Sequence, residues 1–273
     1  MSRHLFARTF FLLGLLVAAA WQIGPSAAQG AAGAANGPTA QERAALDAHW
    51  DQLLADHDFI GLGRDLLAPK AKSQLLAGLG WAKDRTLAGG SVVIPLLYSR
   101  LLWLVGTHSP QYAGLKDTAS MMALYSLVLV AVDGVKCADK SAPGHHYETI
   151  LMQYRDQLRA AADAPVVTRN NIIVAALGLE TKTATLRGDD DYLCRFGLEE
   201  TQYSLKKHEG EPETEVPPQP GQFGRTVEVP YDKEFQPRFL PREQWQPQQD
   251  ANRAALARNL AALLDQIKTP PNP

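Results

Sequence analysis

The sequence His145-His146-Tyr147-Glu148 contains the side chains best suited to chemistry. If this stretch is helical, His145 and Glu148 stand at positions i and i+3 and share one face of the helix. Helical bundles use that spacing in metal sites, so His145, His146 and Glu148 are a candidate metal site. A metal ion would need further ligands from distant segments. The alternative is that these are polar residues in the first turn of a helix.

A second polar cluster, Gly188-Asp189-Asp190-Asp191, invites comparison with a calcium loop. It lacks the alternating ligand spacing and the closing glutamate of an EF-hand loop. We therefore expect these acids to cap the helix that follows them.

Arg100 is unusual because it interrupts an otherwise apolar stretch. A buried arginine is costly unless it is paired, so it must reach solvent or meet an acid. We predict a buried ion pair with Asp117, with Asp133 and Glu180 as the other candidates. An alternative role is to anchor the carboxylate of a ligand.

The chain has two cysteines, Cys137 and Cys194, and no Cys-x-x-Cys motif. An even number of cysteines in an exported protein predicts a disulfide bond. The alternatives are two buried free thiols or a bond between two chains.

Signatures of common enzyme classes are absent from the sequence. It contains no Gly-x-Ser-x-Gly, no His-Glu-x-x-His and no glycine-rich phosphate-binding or nucleotide-binding motif. We predict no catalytic residue and no cofactor. The missing motifs favour a non-enzymatic protein over an enzyme.

The elements that must position these residues are predicted to be helices. Thr39 and Glu42 form a capping box at the start of the first helix, and Pro69 breaks the helical pattern of residues 62–83. Two apolar helices follow that are too short to span a membrane and are typical of a bundle core. The predicted helices from the third onward cover Val92–Val105, Ala119–Val132, Ala142–Asp163, 168–188 and 192–207. The fold class is all-α, a multi-helix bundle over residues 39–208.

Composition changes at about residue 209. Residues 209–248 contain eight prolines, which exclude a regular helix or a central strand. Aromatic residues are spaced along the same stretch, so we predict an extended arm that lies on the helical body. A terminal amphipathic helix is predicted at Asp250–Lys268, within a C-terminal helix and tail covering 249–273.

The N-terminus has the organisation of a cleavable signal peptide over residues 1–28. Arg3 and Arg8 precede an apolar run, and Ser26-Ala27-Ala28 places small residues before a cleavage site at Gln29. The alternative is an uncleaved membrane anchor, which the short apolar run disfavours. A flexible lead-in is predicted at 29–38. Loss of the two arginines takes the formal net charge from −2 to −4, which argues against nucleic acid as a partner.

These observations leave two classes of function. The first is an exported, non-enzymatic binding or interaction module, periplasmic or alternatively secreted, with no stable membrane span after signal cleavage. Its partner would be another exported protein, contacted through the C-terminal arm. The second is a metal-dependent hydrolase that uses His145, His146 and Glu148.

Overall fold

The computed structural model of the chain describes residues 37–212, 214–216 and 226–268. Regular structure in these ranges is almost entirely helical, so the predicted all-α class is confirmed. The predicted signal peptide at 1–28 and most of the lead-in at 29–38 lie outside the described residues.

The described residues contain ten α-helices, three short 3-10 turns and one two-stranded hairpin. The α-helices are α1 Ala40–Ala55, α2 Phe59–Leu67, α3 Lys72–Leu87, α4 Val93–His108, α5 Leu115–Asp133, α6 Ser141–Gln153, α7 Arg155–Asp163, α8 Val166–Thr183, α9 Leu198–Lys207 and α10 Arg242–Lys268. The 3-10 turns are Pro110–Tyr112, Gly134–Lys136 and Tyr192–Cys194. Strands β1 Glu215–Val216 and β2 Thr226–Val227 are antiparallel, with Glu215 opposite Val227.

Local chemistry sets the first two helices. The predicted capping box is present at α1, where Thr39 and Glu42 bond each other's backbone N–H groups. Asp58 caps α2 by accepting a hydrogen bond of 2.9 Å from the Gly61 N–H. A Cβ at Gly61 would lie 2.6 Å from an oxygen of Asp58, so a larger residue there would displace the capping carboxylate. Pro69 lies between α2 and α3, as predicted.

Helices α4 and α5 form the centre of the bundle. Helix α5 packs against α4, α6, α7, α8 and α10, and it is buried on nearly all sides. One stretch of the described residues, Leu115–Lys136, is long and apolar enough to cross a membrane, so the prediction that both apolar helices are too short to span is wrong for this one. Within its most apolar window 78% is buried by the rest of the protein, which is the environment of a core helix.

The helix ends differ from the predicted ones where tertiary contacts intervene. The single helix predicted at Ala142–Asp163 is divided into α6 and α7 by Tyr154. No glycine or proline marks this break, and Tyr154 is buried in the core. Helix α8 ends at Thr183, before the predicted end near Gly188. The piece predicted at 192–207 is a 3-10 turn followed by α9.

Residues 228–241, here called the C-terminal segment, lie against the helical body without regular structure. The N–H of Leu240 donates to the Lys136 carbonyl at 2.8 Å, and the N–H of Ala138 donates to the Arg238 carbonyl at 2.9 Å. Phe239 pairs with Cys137 as an isolated bridge. These backbone bonds attach the segment to the turn that follows α5.

Helix α10 begins at Arg242, eight residues before the predicted start at Asp250. Pro247 therefore lies inside the helix, where it removes one backbone donor. The helix buries Leu256, Leu260 and Leu264 in the core, and each such side chain contributes about 2 kcal/mol of hydrophobic stabilisation. The stabilisation from these buried leucines offsets the hydrogen bond that the helix loses at Pro247.

The predicted disulfide bond joins Cys137 to Cys194, whose Cα atoms are 5.2 Å apart. It links the turn after α5 to the 3-10 turn before α9. Both cysteines are buried. Neither is a free thiol.

Candidate functional site

The histidine cluster at the start of α6 is divided between the core and the surface. His145 and Glu148 are exposed, whereas His146 is 2% exposed. The three side chains therefore do not converge as the metal-site hypothesis requires. The physical reason is helix periodicity: adjacent positions are rotated by about 100° and cannot face the same ligand.

His146 has a structural environment. Its Nε2 lies 2.8 Å from the Tyr192 carbonyl oxygen, to which it donates a hydrogen bond. Its ring packs against Tyr192 and Phe196, with ring centroids 4.7 and 5.7 Å away. Burial lowers the pKa of His146 to about 4, so the imidazole is neutral at physiological pH.

The acidic run at 189–191 is bound to other parts of the protein. Asp190 accepts hydrogen bonds from the Ser91 hydroxyl and the Val92 N–H, both at 2.7 Å. Asp190 thus accepts a hydrogen bond from the backbone at the start of α4. It also accepts one, at 3.5 Å, from the N–H of Leu193 in the 3-10 turn after Asp190. Asp191 pairs with His57 at 3.1 Å. Within the part of the chain that the structure describes, no group of three or more metal-ligating side chains is placed to hold an ion.

These acids line a cavity of about 210 Å³ between α1, α5, the turn before α4 and the 188–192 turn. The carboxylates of Asp133, Asp190 and Asp191 face it and each has a partner within the protein. Desolvation raises the pKa of Asp190. The cavity is smaller than the roughly 300 Å³ at which small-molecule sites begin, so its polar groups are used to join elements.

The ion pair predicted between Arg100 and Asp117 is not formed. Asp117 lies exposed in the first turn of α5, where a carboxylate interacts favourably with the helix dipole. Arg100 is half-buried, donates to the Gln153 side-chain oxygen at 2.8 Å and lies 5.1 Å from the centre of the Tyr154 ring. Both partners are neutral.

The two other acids considered for Arg100 are paired with Arg187 instead. The Arg187 guanidinium lies 2.7 Å from Asp133 and 2.7 Å from Glu180, and all three side chains are buried. Lys136 and Arg253 extend the network, at 3.1 Å from Asp133 and 3.1 Å from Glu180 respectively. The i, i+7 spacing of Glu180 and Arg187 was the only sequence signal for this contact.

A second buried network holds the C-terminal segment on the body. Arg195 is fully buried, pairs with Glu200 at 2.5 Å and donates to the Asp232 carbonyl. Its guanidinium lies 4.7 Å from the Tyr231 ring and 5.7 Å from the Phe235 ring. Arg195 is the main charged contact that sequence reasoning missed. It lies beside Cys194 in a short loop with no periodic pattern to mark it.

A hollow with the character of a ligand site lies between α2, α4, α6 and the 192–196 turn. It has a volume of about 480 Å³, and we call it the arginine groove. Arg64 and Arg100 lie along it. Its apolar surface includes Phe59, Leu96, Leu97, Ile150, Tyr192 and Phe196. Both its volume and its mostly apolar lining with few polar groups are typical of small-molecule sites.

The charged side chains that line the arginine groove are all positive. No acidic side chain is among the described residues that line it, and neither Arg64 nor Arg100 forms an ion pair within the described part of the chain. The polar rings in the groove carry no charge at physiological pH, since His146 is neutral and burial raises the pKa of Tyr154 to about 12. The groove therefore has positive charge beside apolar surface.

Comparison with known proteins gives no match, whether with protein-family models, curated proteins or solved structures.

Proposed function

We propose that the protein is an exported, non-enzymatic binding module, and that the arginine groove is its binding site. The observation that carries the proposal is an apolar hollow of about 480 Å³ in which half-buried Arg100 has no acidic partner, with exposed Arg64 beside it. A protein normally neutralises a cation held against apolar surface, because leaving it without a counter-charge is costly. A bound ligand would supply the missing interaction.

The C-terminal arm is the second part of this proposal. We propose that the C-terminal segment at 228–241, within the arm predicted at 209–248, supports one end of the groove, and that the terminal helix is amphipathic. Supporting contacts are the stacking of Tyr231 on Phe196, with ring centroids 5.7 Å apart, and the hydrogen bond from the Tyr231 hydroxyl to the His57 carbonyl. Phe196 lines the groove, so displacement of the arm would remove the support behind that wall.

Export to the periplasm, with secretion as the alternative, is proposed from the signal-peptide pattern at residues 1–28. The disulfide bond supports it, because such bonds persist in oxidising compartments. We propose no stable membrane span after cleavage and no nucleic-acid partner, the latter because of the net negative charge of the mature chain.

We also propose that another exported protein contacts the arm near the hairpin. A hollow of about 450 Å³ there combines exposed Leu205 with the acidic residues Glu209, Glu211 and Glu228. Apolar surface with an acidic rim suits a basic partner.

We do not propose a metal-dependent hydrolase, because His146 faces the core while His145 and Glu148 face solvent.

The binding proposal is tested by native mass spectrometry of untagged protein recovered from the periplasmic fraction. We expect a chain that begins at Gln29, lacks two hydrogens because of the disulfide, and carries a non-covalent mass. Deleting the arm and α10 would not be a clean test, because α10 contributes Leu256, Leu260 and Leu264 to the core. A variant that fills the groove and leaves the core intact tests directly whether the groove holds the ligand.

Gly63 offers that variant. It lines the groove, and a Cβ there would meet only Leu97 Cδ2, at 3.7 Å. Gly63→Leu should fold, occupy part of the hollow and lose the bound mass. Gly144→Leu is the matched control, because its position on α6 is open to solvent with no atom within 4 Å of a new Cβ. If wild type carries a mass that Gly63→Leu also retains, the groove is not the site. An intact N-terminus would contradict the proposed signal cleavage.

A further inference from the structure

We infer that the arginine groove binds a small amphipathic monocarboxylic acid, with its carboxylate on Arg100 and its apolar body along the floor of the groove. This rests on the proposed function and adds the chemical class of the ligand.

The charge of Arg100 is available to a ligand. Its guanidinium contacts Gln153 and Tyr154, which are both neutral. A guanidinium presents five N–H donors in a planar fork that matches a carboxylate, and one contact with an amide oxygen leaves much of that fork unused. The groove holds no acid that would compete with an incoming carboxylate.

The surroundings of Arg100 indicate a ligand with one charged end. Arg100 and Gln153 lie where the arginine groove meets a second hollow of about 340 Å³. That second hollow contains Asp156, whose carboxylate would repel another anionic group. The rest of the groove lining includes Phe59, Leu97 and Ile150, which are apolar and largely buried. An apolar chain or ring matches that surface.

Arg64 has a supporting role at the edge of the groove. It is exposed and forms no ion pair within the described residues. A solvated charge of this kind contributes attraction at a distance more than binding energy. We therefore assign the main head-group contact to Arg100, which is half-buried and less screened by water.

The test compares dodecanoate with dodecanol, which has the same chain length and no charge, by isothermal titration calorimetry below the concentration at which either aggregates. Wild type should bind dodecanoate more tightly than dodecanol. Arg100→Met keeps the aliphatic stem and removes the charge, so dodecanoate affinity should fall about 10- to 100-fold, the value of a charge-assisted hydrogen bond. Dodecanol affinity should not change. Arg100→Lys keeps the charge without the fork and should give an intermediate loss.

Arg258→Met is the control, because it removes an exposed arginine from α10, which does not line the groove. It should bind dodecanoate as wild type does. Circular dichroism should show that Arg100→Met is folded, since no buried acid loses its partner when Arg100 is replaced.

The outcomes separate this inference from the proposed function. If Gly63→Leu abolishes binding of both probes while Arg100→Met changes neither, the groove binds apolar ligands and the carboxylate inference is wrong. If wild type binds neither probe, the monocarboxylate class is wrong, and the bound mass from periplasmic protein decides whether the groove binds anything. If both probes bind equally to wild type and Gly63→Leu, the groove is not the site and both proposals fail.

Discussion

Replacing His146 by glutamine should remove a specific dependence of stability on pH. The imidazole is buried, donates to the Tyr192 carbonyl and has a pKa lowered to about 4 by burial, against an ordinary value of 6.5. Glutamine retains an N–H donor for the same carbonyl and does not titrate. The substitution therefore isolates the protonation of one buried side chain.

The sign and size follow from linkage between protonation and folding. Between pH 6.5 and 4 the unfolded chain binds a proton at His146 that the folded protein does not, so stability falls as the pH falls. The slope approaches about 1.4 kcal/mol per pH unit. The loss is small at pH 7.5, reaches about 2 kcal/mol at pH 5 and levels off near 3 kcal/mol below pH 4.

The measurement is urea unfolding of wild type and His146→Gln at pH 7.5 and pH 5. The decrease in free energy of unfolding between the two pH values should be about 2 kcal/mol larger for wild type. His145→Gln, which removes an exposed imidazole from the same helix, should keep the wild-type decrease. An equal decrease in wild type and His146→Gln would refute the assignment of a buried neutral imidazole.

Three further changes should lower stability by amounts that the structure sets. Reducing the Cys137–Cys194 bond, which closes a loop of 57 residues, should cost about 4 kcal/mol in urea unfolding with and without reductant. Arg195→Met leaves Glu200 buried without its cation and should cost about 3–5 kcal/mol, whereas the double variant with Glu200→Gln should recover part of that loss in a double-mutant cycle. Leu264→Ala, at a fully buried position of α10, should cost about 2–5 kcal/mol in the same assay.

Each of these has a contradicting result. An unchanged unfolding midpoint in reductant, with free thiols verified by mass, would show that the bond does not constrain the fold. Equal losses in the Arg195 single and double variants would show that the cost is lost packing and not an unpaired carboxylate. A loss below about 0.5 kcal/mol for Leu264→Ala would place α10 outside the core.

Much of the helical architecture could be predicted because its causes are local. The Thr39–Glu42 capping box and the break at Pro69 depend on residues only a few positions apart. The apolar composition of residues 119–132 was enough to place that helix at the centre of the bundle, because a helix without a polar face must be covered on all sides. The disulfide followed from the number of cysteines together with the expected compartment.

The tertiary structure decided everything that depends on partners distant in sequence. Arg100 could be recognised as unusual, but only the fold shows Gln153 and Tyr154 beside it while Asp117 remains in solvent. Asp133 and Glu180 were candidates for a buried pair, and Arg187 binds both because the end of α8 returns to the end of α5.

The same distinction holds for the arginine groove and for the start of α10. The arginine groove is made by α2, α4, α6 and the 192–196 turn, and no local pattern encodes how four separate elements pack. The prolines of the arm, Pro247 among them, predicted no regular helix before Asp250, yet α10 begins at Arg242 and includes Pro247, because Leu256, Leu260 and Leu264 bury against the bundle. A proline inside a helix costs about 3 kcal/mol relative to alanine. The burial of three leucines stabilises the helix by more than that cost.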